Sequence, residues 1–412
     1  MVRAAGNGAP QEIRITDPAD MMPAPLSKTF NAFFNSEKSG GALLIVCTLG
    51  SIAVANSPVG GEYLRFWQIF IFGLSIEHWI NDALMAVFFL LIGLELEREL
   101  YVGELSKVRN ALLPIFAAIG GMAVPALIHF SLNAGTPTQA GVGIPMATDI
   151  AFALGVLALL GSSIPASLKV FVVAFAVIDD LGAIIVIAVF YTTQLSEGYL
   201  AAALAIWGLL LVCNLRLRIM HLSPYLLGGA LMWYFMLKSG VHATIAGVML
   251  AFAIPFTAKD DDARSPSYLL EHGLHKPVAF IILPIFALAN TGIVVQADWF
   301  QHLTSVNSIG IAAGLVLGKP LGVTLLCFVA VACGICRLPA NLKWGHIAGA
   351  GVLGGIGFTM SIFITNLAFA ANPEMINASK MAILLASLSA AACGFLWLWI
   401  SGRMVTQKRA SD

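Results

Sequence analysis

The chain has 412 residues, 11% of them charged and 59% hydrophobic, with 22 basic side chains balanced by 22 acidic ones. A soluble domain carries about a quarter charged residues, so water is not the main solvent of this chain. Zero net charge leaves no basic face for nucleic acid and no acidic balance to attract a cationic protein.

A helix needs about 20 residues to cross the roughly 30 Å hydrocarbon core, so this length has room for about ten to thirteen crossings in one polytopic domain. The fold class expected is an all-α membrane protein. Residues 1–39 contain Pro, Ala and Asp with scattered Arg and Lys and hold no apolar core, which reads as a tail rather than a cleaved signal peptide. The divisions expected are a disordered cytoplasmic tail over 1–35, a transmembrane domain over 36–403 and a second cytoplasmic tail over 404–412.

Apolar runs between charges and turn residues fall near 40–56, 77–97, 111–133, 139–160, 170–191, 199–215, 222–236, 240–255, 275–295, 308–333, 347–371 and 380–402. They make about twelve spans, the seventh and eighth short. With both termini cytoplasmic, only Arg65, Lys238 and Lys380 fall outside and Lys319 lies within a span. The other eighteen of the 22 Lys and Arg, Arg98, Lys107, Arg216 and Lys343 among them, stay inside, a clear positive-inside bias. Segments three to five then run opposite to segments ten to twelve. The middle helix of each triplet is interrupted, at Gly141–Pro145 and at Gly349–Gly357. Two interrupted helices at matching places in inverted halves point to a binding site at the membrane midplane, whereas small residues alone would indicate close helix packing. Gly349, Gly351 and Gly354 fit GxGxxG, but no strand precedes them, so they are no nucleotide loop. The six cysteines lie in or beside apolar runs, as packing residues do. The Cys333–Cys336 pair lacks the further ligands or the βαβ context that zinc or redox chemistry needs.

Counted at 1.5 Å per residue, Asp180, Asp149 and Lys319 each lie about 15 to 17 Å into their segments, near the midplane. Ionised groups at that depth are functional by default and need a polar cavity. Asp179 and Asp180 are consecutive and point about 100° apart on a helix, so their roles differ. Neighbouring carboxylates in a desolvated site raise each other's affinity for protons. A hard cation wants such oxygens together with carbonyls freed by a broken helix. Competition of cation and protons for the same oxygens gives exchange. Lys319 can pair with one aspartate as counter-ion or proton carrier. Asp149, beside Thr148, can balance positive helix ends while Lys319 balances negative ones.

Phe175-Ala-Val-Ile-Asp-Asp-Leu-Gly-Ala183, Pro145-Met-Ala-Thr-Asp-Ile-Ala-Phe-Ala153, Lys238-Ser-Gly-Val-His-Ala-Thr244 and Gly354-Gly-Ile-Gly-Phe-Thr-Met-Ser-Ile362 strongly resemble the bacterial NhaA sodium/proton antiporters, a likeness running from about Phe33 to Gly402. The resemblance implies a twelve-helix inverted-repeat fold in the bacterial inner membrane, with helices 4 and 11 unwound and crossed. It implies electrogenic export of sodium or lithium against a larger number of protons, with no cofactor and no enzymatic reaction. By motif, Asp180 matches the principal ion-binding aspartate and Asp179 the neighbour that titrates and pairs with the lysine. Asp149, Thr148 and Lys319 match charge-compensating or ligating positions. A cytoplasmic cluster of Glu95, Arg98, Glu99, Glu271 and His272, with His242, is similar to the positions tied to the family's pH response; as solvated charges they would need no such role. Segment 61–76 resembles the outer hairpin that pairs subunits, which implies a homodimer. Glu97 stands where a basic residue is common, and Lys276-Pro277 stand for Pro-Trp, departures that bear on the pH of activation.

Other twelve-helix proteins fit less well. A carrier of organic anions would place arginine near the midplane, where none occurs. An intramembrane aspartyl protease needs carboxylates on separate helices sharing one water, typically with a GxGD string, and this chain has consecutive aspartates without that string. A channel gives no reason for titratable carboxylates beside inverted broken helices.

Overall fold

An unpaired peptide group in hydrocarbon costs several kcal/mol, so a chain this apolar must satisfy its backbone inside helices wherever it meets lipid. The computed structural model describes residues 28–106, 108–161, 164–192, 195–257, 265–295 and 299–411. Residues 1–27, most of the expected first tail, lie outside the described residues. The first helix, Lys28–Ala55, begins inside the stretch expected as tail, and the last, Pro373–Ser411, runs on through 404–411.

Among the described residues, eight helices are long and apolar enough to cross a membrane, and the count reaches ten if each of two bent pairs is a single span. The bent pairs are Ser39–Ala55 with Gly60–Trp67, at 118°, and Trp344–Gly354 with Phe358–Ala368, at 45°. The two short segments expected at 222–236 and 240–255 are helical over Leu222–Ser239 and Ile245–Ala251, and neither is among those that cross by length and composition. The helix at 245–251 is brief because 252–257 turns away from regular structure at Pro255. Helix ends follow local chemistry. Ser75, Ser265 and Ser305 each accept a hydrogen bond from the backbone N–H three residues on, with Pro266 in the first turn after Ser265, as N-caps do. Gly240, at φ 84°, ends Leu222–Ser239 in the left-handed region where a Cβ would be strained.

The interior is closed by small residues. Gly120 on Val108–Asn133 meets Gly322 on Lys319–Ala332 backbone to backbone, and Gly247 abuts the carbonyl of Ala86. Such contacts let membrane helices approach closely, where there is no water to expel as a driving force. Large side chains such as Leu209, Leu227 and Leu388 remain exposed, where lipid would cover them. Wide π-helical turns occupy Trp79–Leu84, Val278–Ile282 and Gly314–Gly318. Turns of this kind gather at functional sites, and the third places Lys319 immediately after it.

Segment 61–76 forms a short helix and a two-stranded hairpin in which Phe70 pairs Ser75 and Ile71 pairs Leu74. Phe72 and Gly73 turn it with φ of 51° and 84°, both positive as a tight hairpin turn demands. Replacing Gly322 by Val puts a Cβ bearing two methyl groups into the Gly120 carbonyl. The expected result is a loss of about 1–3 kcal/mol from overpacking, read as a lower melting temperature of the purified protein in detergent.

Candidate functional site

Two helices lose their regular hydrogen bonding deep in the protein, and each supplies what the other lacks. The segment expected to break at Gly141–Pro145 is a 3-10 helix over Gln139–Met146, and the break itself comes later, at 147–149, before Ile150–Leu159 resumes. The later position of the break has a physical cause. A 3-10 turn tolerates Gly and Pro145 while keeping i to i+3 bonds, and the chain becomes extended only at Ala147 and Asp149. The second break, within the expected Gly349–Gly357 run, falls at its end over 355–357.

The two breaks are stitched together. The Asp149 N–H donates to the carbonyl of Ile356 at 2.6 Å, Thr148 Oγ1 donates to the carbonyl of Gly354 at 2.9 Å, and Ser361 Oγ donates to the carbonyl of Ile144 at 2.7 Å. The Asp149 carboxylate accepts from the Phe152 N–H through Oδ1 at 2.9 Å. Through Oδ2 it accepts from the Thr359 hydroxyl at 2.6 Å and the Thr359 N–H at 3.1 Å. It therefore sits on the N-terminal ends of both resumed helices, where an anion offsets the partial positive charge. Gly354 ends the Trp344–Gly354 helix, so its carbonyl carries the opposite sign, and Thr148 faces it.

Ala166–Phe190 runs beside the crossing and carries Asp179 and Asp180, both fully buried. Lys319 Nζ donates to Asp179 Oδ2 at 2.5 Å and to Thr148 Oγ1 at 2.9 Å, and lies 5.6 Å from the centre of the Phe175 ring. Lys319 is thus tied to Asp179 rather than Asp180, and through Thr148 to the negative helix end. Asp179 Oδ1 and Asp180 Oδ1 are buried and have no hydrogen-bond partner among the described residues. Asp180, Asp149, Thr359 and Glu95 line a cavity of about 30 Å³, room for one or two waters or a small dehydrated cation. No group of three or more His, Cys, Asp or Glu side chains forms a metal cluster among the described residues.

The expected cytoplasmic cluster assembles only in part. Arg98 Nε lies 3.2 Å from Glu271 Oε1, an ion pair whose geometry falls short of a hydrogen bond, and Arg98 Nη2 lies 3.7 Å from Glu99. His275, which the sequence reading left out, joins Glu95 at 3.3 Å and Glu271 at 3.9 Å. Its signal was available, since it stands one helical turn after Glu271. His272 instead stacks on Tyr268 with ring centres 3.8 Å apart. Glu97 is buried and accepts from Ser267 Oγ at 3.3 Å. His242 belongs with none of these. It lines a cavity of about 740 Å³ with Glu77, His78, Asp82, Tyr191 and Lys380, at the opposite end of the Ile76–Tyr101 helix from Glu95. Lys380, expected as an outer loop charge, is 7% exposed.

Lys319→Ala would leave the Asp179 carboxylate buried without its cation, and loss of one member of such a pair costs about 3–5 kcal/mol. Thermal melting in detergent should show a marked fall, partly restored by adding Asp179→Asn; unchanged melting in the single variant would contradict the ion pair.

The family model described as Na+/H+ antiporter 1 matches residues 31–398. The chain is 72% identical to the Na(+)/H(+) antiporter NhaA of Dechloromonas aromatica over 373 residues, covering 90% of this chain and 96% of that one. It is 59% identical to the protein of that name in Cytophaga hutchinsonii, covering 90% and 95%, and 48% identical to that of Vibrio alginolyticus, covering 90% and 96%. With a family model over most of its length and relatives this similar across nine-tenths of it, the chain belongs to the Na+/H+ antiporter 1 family.

Proposed function

We propose that the protein is an electrogenic antiporter of the bacterial inner membrane that exports sodium or lithium in exchange for a larger number of protons by alternating access. The observation that carries this reading is the meeting of Asp180, Asp149 and Thr359 around one small cavity at two stitched helix breaks. Relatives named sodium/proton antiporters support it.

Asp180, with a buried oxygen lacking any partner among the described residues, is the primary site for the cation. Asp179 shares the proton inventory, because its bond to Lys319 opens when either group changes charge. A cation on the carboxylates displaces protons, and protons displace the cation, since both satisfy the same oxygens in a medium that penalises an empty, charged site. Two titrating carboxylates per cation account for unequal stoichiometry and hence charge movement. Asp149, Thr148 and Lys319 hold the helix ends in register and complete the ligand set. The twelve-span count, the inverted repeat of helices 3–5 and 10–12, and cytoplasmic termini complete the reading, supported by the two breaks and the charge bias.

In this orientation Glu95, Arg98, Glu99, Glu271, His272 and His275 line the cytoplasmic approach, and the 740 Å³ cavity is the outer vestibule. Glu95 touches both the cluster and the small cavity beside Asp180, so protonation in the cluster changes the field at the site. This is the basis proposed for pH regulation, with His242 acting separately from the outer side. The hairpin at 70–75 presents Phe70, Ile71 and Phe72, the last 95% exposed, as the surface that pairs two copies.

In inside-out vesicles, sodium or lithium should collapse an imposed pH gradient across the neutral range, and Asp180→Asn should abolish the response while the protein still inserts. Asp179→Asn should be nearly as severe. Full exchange by either variant would remove the mechanism. Phe72→Asp should shift the detergent-solubilised protein from dimer to monomer in native mass measurements; a dimer of unchanged stability would place the contact elsewhere.

A further inference from the structure

The outer arm of the first broken helix is a 3-10 stretch, Gln139–Met146, and such stretches have weaker internal hydrogen bonds than an α-helix. Yet this arm fixes where Thr148 and Asp149 stand. One side chain grips it. Tyr191 Oη donates to the carbonyl of Ala140 at 2.7 Å and accepts from the Gly143 N–H at 3.3 Å. Ala140 and Gly143 are three residues apart, so the hydroxyl engages the acceptor and donor ends of a single 3-10 turn.

Tyr191 follows directly on the helix Ala166–Phe190 that carries Asp179 and Asp180, about 16 Å beyond Asp180 along the axis. Its ring is largely buried, at 9% exposure. Its own carbonyl is paired with His242 Nε2 at 3.1 Å. Gly143 leaves no room for anything else, since a Cβ there would meet Tyr191 Oη at 2.8 Å. One residue therefore joins the helix of the paired aspartates, the arm of the broken helix and the wall of the large cavity. The family motifs around the aspartates do not include it.

We propose that Tyr191 is a positioning residue for cation binding: its hydroxyl pins the 3-10 arm to the aspartate-bearing helix and so sets the spacing between Asp180 and the Thr148–Asp149 break. This rests on the cation-exchange reading above. Among the described residues, Tyr191 bonds Ala140 and Gly143 through its hydroxyl and His242 through its carbonyl, and hydrogen-bonds to none of Asp149, Asp179, Asp180 or Lys319. It acts by holding apart or together two elements whose oxygens must close on one ion, and errors of an ångström in such a ligand set are felt as lost affinity.

The test uses full-length protein and three variants, Tyr191→Phe, Gly143→Ala and the two combined. Sodium-dependent collapse of a pH gradient in inside-out vesicles gives KM and maximal rate, with Asp180→Asn as the inactive control. Tyr191→Phe removes both the strong bond to Ala140 and the longer one from Gly143 and should raise the sodium KM at least about threefold to tenfold, the range for one buried hydrogen bond, with a smaller change in maximal rate. Gly143→Ala should also raise KM, because its methyl displaces the hydroxyl. In the combined variant the obstructing oxygen is gone, so KM should equal that of Tyr191→Phe alone. Independently of transport, deuterium exchange of peptides covering 140–149 should be faster in Tyr191→Phe than in wild type. Unchanged KM with unchanged amide exchange would overturn the proposal, as would effects of the two substitutions that simply multiply. Absence of sodium-dependent exchange in wild type would instead count against the antiport reading, and the amide exchange would still decide whether Tyr191 holds the arm.

Discussion

Everything at the centre of this protein depends on backbone groups set free by two interrupted helices, in a place where no bulk water is available to satisfy them. A single break would be prohibitive. Two breaks that exchange hydrogen bonds, Asp149 to Ile356 and Thr148 to Gly354, become mutually supporting. The charges follow from the same constraint. Resumed helices present N–H groups, and Asp149 covers them. Interrupted ones present carbonyls, and Thr148 with Lys319 faces them. A site with paired opposite charges and balanced dipoles stands in low dielectric far better than four isolated ions would.

That balance leaves a deliberate remainder. Asp179 is satisfied on one oxygen by Lys319, and Asp180 retains a buried oxygen without a partner among the described residues. A fully satisfied network would be more stable and would bind nothing. Buried polar groups short of a partner are where a small cation or a proton gains most on entering. In the function proposed above, stability and exchange draw on the same few atoms, and Lys319 sits at their junction.

The molecule surrounds this centre asymmetrically. Toward one end, Glu95, Glu271, Arg98 and His275 form a compact ionic cluster reaching to the small cavity. Toward the other, the approach is a wide vestibule walled by amides and a buried lysine. There Asn290 Nδ2 donates to Asn81 and Asn366 Nδ2 donates to Asn290, linking three helices through side-chain amides. Between the two, Phe89 and Phe363 touch with ring centres 5.8 Å apart and are almost wholly buried. The contrast between a small acidic cavity on one side and a wide cavity on the other is compatible with the alternating access proposed above.

Much of this was legible in the chain itself. Hydrophobic runs located the helices, because lipid imposes length and apolarity on any segment that crosses it. The depth of Asp180 could be counted, because the rise of a regular α-helix is constant, whereas the 3-10 stretch before Asp149 and the π-helical turn before Lys319 depart from that rise. The glycine runs marked which helices are interrupted, although only roughly where. Residues whose meaning depends on contact could not be read this way. The inclusion of His275 with Glu95, the pairing of His242 with the Tyr191 carbonyl instead of with that cluster, and the grip of Tyr191 on Ala140 and Gly143 all join positions 48 to 180 residues apart in sequence, and the pairing of Lys319 with Asp179 is implied by the family resemblance and not by local composition. By itself the sequence determined that the chain is apolar enough to span a membrane many times, that Asp149, Asp179, Asp180 and Lys319 fall inside its apolar segments and that two of those segments are interrupted, since each follows from local composition. Only the tertiary structure decided which oxygen meets which donor, because that depends on how small residues such as Gly120 and Gly322 let helices approach and rotate, a property of pairs of helices that neither one encodes alone.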